Sequence, residues 1–421
     1  MRTHLRSIRA LGFLFFLQVL ILGFAKTNET VVKGVNDPTR DVKAVQDAVD
    51  RGGTVVLKGK FNFGNDDKII IKKDIKILGE VDEQGKPKTQ VIGGRETFSS
   101  PLPSKEAAPS IPGPKISIEN IHFDKANWTP IHIAYTSGAK IAGNKITNVS
   151  PFPLPIKLEG GDTVFSHAGA ILGTRFFNPA KFLPGTTGHL IFENNEVDIP
   201  CEKPEATMGQ GVFFVWTCGS IIEAKGNTFK NVSRNSIECL ENYRDERRVG
   251  MVIITGNRII TPTTGCPYPD PTSYPNGIVA GWFLDLSGGQ DPAKNSKIII
   301  MNNYVEASGK LSSGVIGLAD GMTVVNNEVV LGGSQSKAIL QFGSDGLIAG
   351  NILKGFGAFA FMALPYKNEL KGNGNAFLRN DIELFKALEA DFLFEGNDNI
   401  YFGDKCNVQG KGQGSKIFVD D

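Results

Sequence analysis

The chain is expected to be all-β, wound as a parallel β-helix solenoid with a short capping helix at its N-terminal end. Three observations predict this. An Asn flanked by apolar strand residues recurs eight times, at Asn144, Asn195, Asn227, Asn257, Asn303, Asn327, Asn351 and Asn373. From Asn303 onward these anchors are 24, 24 and 22 residues apart, the fixed period of a coil repeat. Between them lie short β-type runs such as Val252-Ile253-Ile254 and Lys297-Ile298-Ile299-Ile300, bounded by Gly, Asn and Ser. No coil can bury its apolar side alone, so coils must stack and pair in parallel. Asn tolerates left-handed turns, and its side chains can bond from coil to coil. A residue repeated in every coil marks structure rather than one active site.

The elements follow in order. Arg2, Arg6 and Arg9 precede an apolar run from Leu11 to Phe24, and Gly23-Phe24-Ala25 offers a cleavage site, so 1–25 reads as a secretory signal. The competing reading is an uncleaved anchor, but the run is shorter than the roughly 20 residues that span a bilayer. No second membrane span is expected after cleavage. The remainder, 26–421, is expected to be one domain. Asp37-Pro38 starts a helix over about 38–51, with Asp as N-cap and Pro in the first turn. Val42, Val45 and Val49 mark its apolar face, and Gly52-Gly53 ends it. Coils run over about 54–405, opening on Thr54-Val55-Val56-Leu57. Three Pro-rich insertions interrupt the repeat: Ser99–Pro114, Pro151–Pro155 and Thr261–Pro275. Solenoid insertions become surface loops that can wall a binding face or merely decorate it. Asp381 to Ala390 reads as a second amphipathic helix, followed by strands at Phe392-Leu393-Phe394 and Ile400-Tyr401-Phe402.

Composition agrees with a turn-rich β fold: 49 of 421 residues are Gly, and only 21% are charged. The chain carries 45 Lys+Arg and 44 Asp+Glu. Without Arg2, Arg6 and Arg9 the count is 42 against 44, or −2, which leaves no basic footprint for a nucleic acid. Five cysteines (Cys201, Cys218, Cys239, Cys266, Cys406) leave at least one unpaired within a monomer, and they lack paired metal-ligand spacing. Cys201 and Cys266, both in Pro-containing loops, could pair.

The helix followed by Gly52-Gly53-Thr54-Val55-Val56-Leu57, then Ile116-Ser117-Ile118-Glu119-Asn120-Ile121-His122-Phe123, then the Gly-Asn repeats, resembles the pectin-lyase-like superfamily of right-handed parallel β-helix proteins. The resemblance spans nearly all of the mature chain. It implies a right-handed solenoid and says little of function, since the superfamily holds lyases, hydrolases, epimerases, tailspikes and noncatalytic proteins. Motifs of its familiar enzymes are missing. Gly188-His189 is followed by Leu190, and Asp-Asp occurs only at Asp66-Asp67 and Asp420-Asp421. Asp270-Pro271 and Asp291-Pro292 lack a following His.

Aligned on anchors and strand starts, Pro130–Tyr135 stacks on Gly169–Thr174, then Gly211–Trp216, Ser236–Glu241 and Gly277–Trp282. This register places Tyr135, Trp216, Glu241 and Trp282 in one column and His132 and Glu238 in another, both expected on the same side of the solenoid. Aromatics repeating once per coil would make a track for sugar rings; they could equally be core. Elimination from a uronide needs a base and a cation on the carboxylate, and hydrolysis needs two carboxylates. Glu238 and Glu241, with Arg175 and Arg244, could serve either scheme, or form a solvated turn with internal ion pairs. Tyr135, Trp216, Trp282 and His132 are the candidate substrate-binding residues. No metal site and no cofactor motif is read; a calcium requirement stays open. Two functions survive: an exported, secreted or periplasmic polysaccharide lyase or glycoside hydrolase, and a noncatalytic glycan-binding or structural β-helix protein.

Overall fold

The computed structural model describes residues 29–420 apart from 101–111, 150–154, 158–162, 166–168, 175–185, 201–209, 216, 218–219, 241–249, 263–274, 282–296 and 367–369. Each coil contributes up to three strands, and equivalent strands of successive coils pair in parallel. Three ladders, or faces, result. The first face is a 14-stranded sheet running from Glu29–Lys33 to Lys416–Val419. The second is made of short strands that follow the Asn anchor, such as Lys145–Thr147, Thr228–Lys230 and Arg258–Ile260. The third contains Glu96–Ser100, Thr129–Ile133, Gly169–Thr174, Gln210–Val215, Asn235–Leu240 and Asn276–Gly281, and continues to Val408–Lys411. The solenoid is right-handed, the hand that parallel crossovers within one sheet adopt.

Inward residues of the three faces build one continuous core. Ile141, Phe192, Ala224, Ile254 and Ile300 stack along the first face, and Ile131, Ile237, Ile278, Val315 and Ile339 along the third. Helix α1 (Pro38–Val49) closes the N-terminal end. Asp37 caps it by accepting from the Arg40 amide at 2.9 Å, and Val45, Ala48 and Val49 seat in the core. A strand the sequence reading did not anticipate, Glu29–Lys33, precedes the helix and pairs with Gly53–Lys58.

The repeated Asn forms a buried ladder at the turn from the first to the second face. Oδ1 of Asn195 accepts from the backbone amide and the Nδ2 of Asn144, and the same pair of bonds links Asn227, Asn257, Asn303, Asn327 and Asn351 onward. The eighth rung is Asn380, bonded to Asn351 at 3.0 Å and 2.9 Å, and not Asn373. The last spacing is therefore 29 residues instead of 22. Before each rung the chain takes positive φ, at Gly143, Asn194, Gly226, Gly256, Asn302, Asn326, Gly350 and Arg379. That requirement explains why the repeat reads Gly-Asn or Asn-Asn.

Two other expectations are corrected. Asp381–Phe394 is a strand rather than a helix at 381–390, because pairing with Ile352–Ala363 overrides the helical propensity of its Glu, Leu, Lys and Ala residues. Ser99 and Ser100 end the strand Glu96–Ser100 rather than opening an insertion.

Candidate functional site

Long connections enter or leave third-face strands: 14 residues separate Glu96–Ser100 from Lys115–Glu119, 21 separate Lys145–Thr147 from Gly169–Thr174, 11 separate Gly169–Thr174 from Thr186–Glu193, and 10 separate Asn235–Leu240 from Met251–Thr255. Along the Asn ladder the turn from first to second face is only two residues long, as Gly226-Asn227 between Ile221–Lys225 and Thr228–Lys230, and the longer connection on this side, between Ile75–Gly79 and Thr89–Ile92, precedes the ladder. Insertions are thus concentrated on the borders of one face.

Third-face strands are also buried on both sides. Every residue of Thr129–Ile133 and of Asn235–Leu240 is buried, although only alternate ones point to the core. Linked by backbone register, the outward column includes Ser99, His132, Glu238, Val279, Ile316, Leu340 and Met362. It is polar at Ser99, His132 and Glu238 and apolar from Val279 onward, where Leu340, Phe359 and Met362 pack as a satellite cluster.

His132 and Glu238 therefore occupy one column, as the alignment expects, but by a different route. Ile131 pairs with Ile171 and Ile171 with Val212, so the alignment of Gly169 with Pro130 and with Gly211 is off by one in each direction. The two slips cancel. Three coils separate His132 from Glu238, about 14 Å at strand spacing. The other column does not follow by alternation. Tyr135 is three residues beyond His132, an odd offset that a continuous strand would turn to the opposite side. Its strand ends at Ile133, and Tyr135 lies half-buried in the following bend. Trp216, Trp282, Glu241, Arg175 and Arg244 lie outside the described residues.

Two polar clusters occupy this face, each joining a residue at the strand start to the outward column. In the first, Glu96 Oε2 accepts from Ser99 Oγ at 2.8 Å and lies 3.3 Å from His132 Nδ1 and 3.8 Å from Lys68 Nζ. Burial raises the Glu96 carboxyl, but His132, Ser99 and Lys68 outweigh it and hold the group at about 2. Trp128 packs edge-on to the His132 ring, centroids 5.7 Å apart, with a φ of 114° that is strained for a bulky residue. Its Nε1 is buried without a hydrogen-bond partner among the described residues. In the second cluster, Glu238 Oε2 accepts from Asn235 Nδ2 at 2.6 Å, and Asn235 Oδ1 accepts from Asn276 Nδ2 at 3.0 Å. Glu238 is 4% exposed, so it is a buried, hydrogen-bonded carboxylate rather than part of a solvated turn.

Glu96, Trp128, Asn235 and Asn276 were missed by sequence reasoning. Assigning Ser99 to an insertion hid the strand that carries Glu96, and Trp128 precedes its strand in a bend with no repeat signature. Glu96 and Glu238 are four coils apart, about 19 Å. Hydrolysis needs a carboxylate pair within roughly 10 Å, so these two cannot form one. Among the described residues no group of three or more His, Cys, Asp or Glu is arranged to hold a metal ion. Cys239 is a free, buried thiol pushed up by burial, and Cys406 is free and half-buried. Cys201, Cys218 and Cys266 lie outside the described residues.

No family model and no curated relative matches the sequence. Among solved structures, the chain is similar to the A-module of a mannuronan C-5 epimerase from Azotobacter vinelandii, with 11% identity and a TM-score of 0.44 over 92% of this chain and 97% of that one. It is also similar to PfbA, a surface adhesin of Streptococcus pneumoniae, with 13% identity and a TM-score of 0.43 over 92% of this chain and 93% of that one. These likenesses concern the path of the chain and not the chemistry of any site.

Proposed function

We propose that this is an exported protein that holds a polysaccharide along its third face. The observation that carries the reading is the concentration of insertions on the borders of that one face, over strands whose outward residues include His132 and Glu238. Insertions confined to one side of a solenoid commonly build its binding surface. A secretory signal over 1–25 would direct the protein out of the cytoplasm, and no described helix is long and apolar enough to cross a membrane.

Glu96 and Glu238 are too far apart to act on one glycosidic bond. The catalytic alternative needs Glu241, Arg175 and Arg244 to converge on Glu238, as general acid or base and as cations on a uronide carboxylate. Calcium could stand in for such a cation. The distinguishing experiment is release of reducing ends from a panel of neutral and acidic polysaccharides, with and without calcium, alongside affinity electrophoresis on the same polymers. Retarded migration with no new reducing ends supports binding alone. Reducing ends abolished by Glu238→Gln would establish the lyase or hydrolase. Trp216→Ala and Trp282→Ala should each weaken glycan binding roughly tenfold while leaving thermal unfolding nearly unchanged. A large loss of stability in either would show that the ring is core.

A further inference from the structure

The outer surface of the first face changes character part-way along the solenoid. Its N-terminal half is covered by a string of charges of alternating sign. Lys140 lies 3.5 Å from Glu119 and 3.2 Å from Glu193, and Lys225 lies 3.1 Å from Glu193 and 3.4 Å from Glu223. From the strand Met251–Thr255 onward the outward positions turn apolar. Ile253, Ile299, Val325, Leu347 and Ile400 point away from the core, since their inward neighbours Ile254, Ile300, Val324, Ile348 and Tyr401 are fully buried, and Phe418 follows Phe402 in the outward register. Leu347 is 37%, Ile400 40% and Phe418 49% exposed. Seven successive strands carry this surface, from Met251–Thr255 to Lys416–Val419. At strand spacing that is a flat apolar strip about 30 Å long. Soluble proteins seldom leave so long a contiguous strip uncovered.

We propose that this strip is a homodimer interface, on which a second copy of the chain packs the same strip about a two-fold axis. Three features favour a second copy. The two central columns of the strip carry one charge, Lys416 at the far end, with Lys297 and Arg379 at the margins, so a two-fold axis across the solenoid sets Lys416 against the far end of the partner's strip rather than against its own copy, as an isologous contact requires. Its side chains repeat about every 4.8 Å along the solenoid, and only another sheet of equal spacing can interdigitate with them throughout. Two outward columns of side chains over seven coils bury roughly 900 Å² in total, below stable specific interfaces and within the range of weak, transient ones. The dimer is therefore reversible, forming at micromolar concentrations, and it leaves the third face free.

Sedimentation velocity on the purified protein tests this from about 1 µM to about 300 µM. The weight-average mass should rise from the monomer towards the dimer. Ile299→Lys and, separately, Leu347→Lys should each weaken association at least tenfold while circular dichroism and thermal unfolding stay unchanged; Leu347 is exposed enough for its variant to fold. A spin label at Thr323→Cys, one strand from the middle of the strip, should show a single intermolecular distance of roughly 10–25 Å. A monomer throughout the concentration range overturns the proposal, whether or not it adsorbs to phosphatidylcholine vesicles. So does a dimer that neither lysine variant weakens.

Discussion

Burial alone would raise the Glu96 carboxyl, yet the His132 ring, the Ser99 hydroxyl and Lys68 lower it to about 2. A folded-state value below the unfolded one stabilises the protein above the unfolded value and loses that stability as pH falls through the folded one. The window here runs from about 4.5 down to about 2. The full shift corresponds to about 3 kcal/mol, and partial solvent contact reduces it to about 2 kcal/mol. Glu96→Gln should therefore lower the unfolding free energy by about 2 kcal/mol at pH 7, with the difference shrinking as urea titrations approach pH 2. A gap that is constant with pH would mean that packing, and not the charge on Glu96, is what the variant loses. Asp41 follows a different logic. It is 1% exposed, and its two carboxylate oxygens accept from three backbone amides, those of Val35, Asp37 and Asn62. It ties the start of α1 to the first coil and consumes donors that would otherwise be buried unpaired.

The Asn ladder is an element made of side chains. Asn257 accepts from the amide and Nδ2 of Asn227 and donates to Ala224 O and Asn303 Oδ1, all at 2.8–3.0 Å. Truncation orphans a buried amide and breaks the run in both directions. Asn257→Ala should cost about 3 kcal/mol in denaturant unfolding. Asn148, itself at positive φ, exposed and bonded to Asp124 at 2.8 Å, is the contrast: Asn148→Gly should cost under about 1 kcal/mol. Equal losses would show that turn conformation, and not the ladder, supplies the stability. The strand Asp381–Phe394 shows the limit of local reasoning. Its first half has no further coil beside it on the second face, and register shifts interrupt its pairing with Ile352–Ala363. Lys386 sits between the exposed Leu384 and Leu388 on this open edge, where a charge discourages further strands from adding.

A solenoid gains stability coil by coil, so damage at one end should remain graded along the molecule. Val45 of α1 is fully buried against the first coils. Val45→Asp would bury an unpaired carboxylate, costing at least about 3 kcal/mol locally. Hydrogen exchange should then accelerate in residues 53–100 well before it changes in 297–420. Uniform acceleration would mean that the molecule opens as one cooperative unit instead. The repeat, its parallel stacking, the capping helix and the structural role of the Asn were all legible in the linear order of residues. Each rests on short-range chemistry: a residue able to take positive φ, an amide side chain beside it, an apolar run of strand length, an Asp-Pro helix start. Register across the insertions was not legible. The slips at Gly169 and Gly211, the choice of Asn373 over Asn380 and the helix assigned to 381–390 all sit where the period is interrupted or two local preferences compete. There the outcome depends on which distant strand offers open hydrogen-bonding groups and a matching apolar face. Only folding the coils onto one another settles that, and with it the approach of Glu96 to His132, Asn235 to Glu238, and the apolar strip from Ile253 to Phe418.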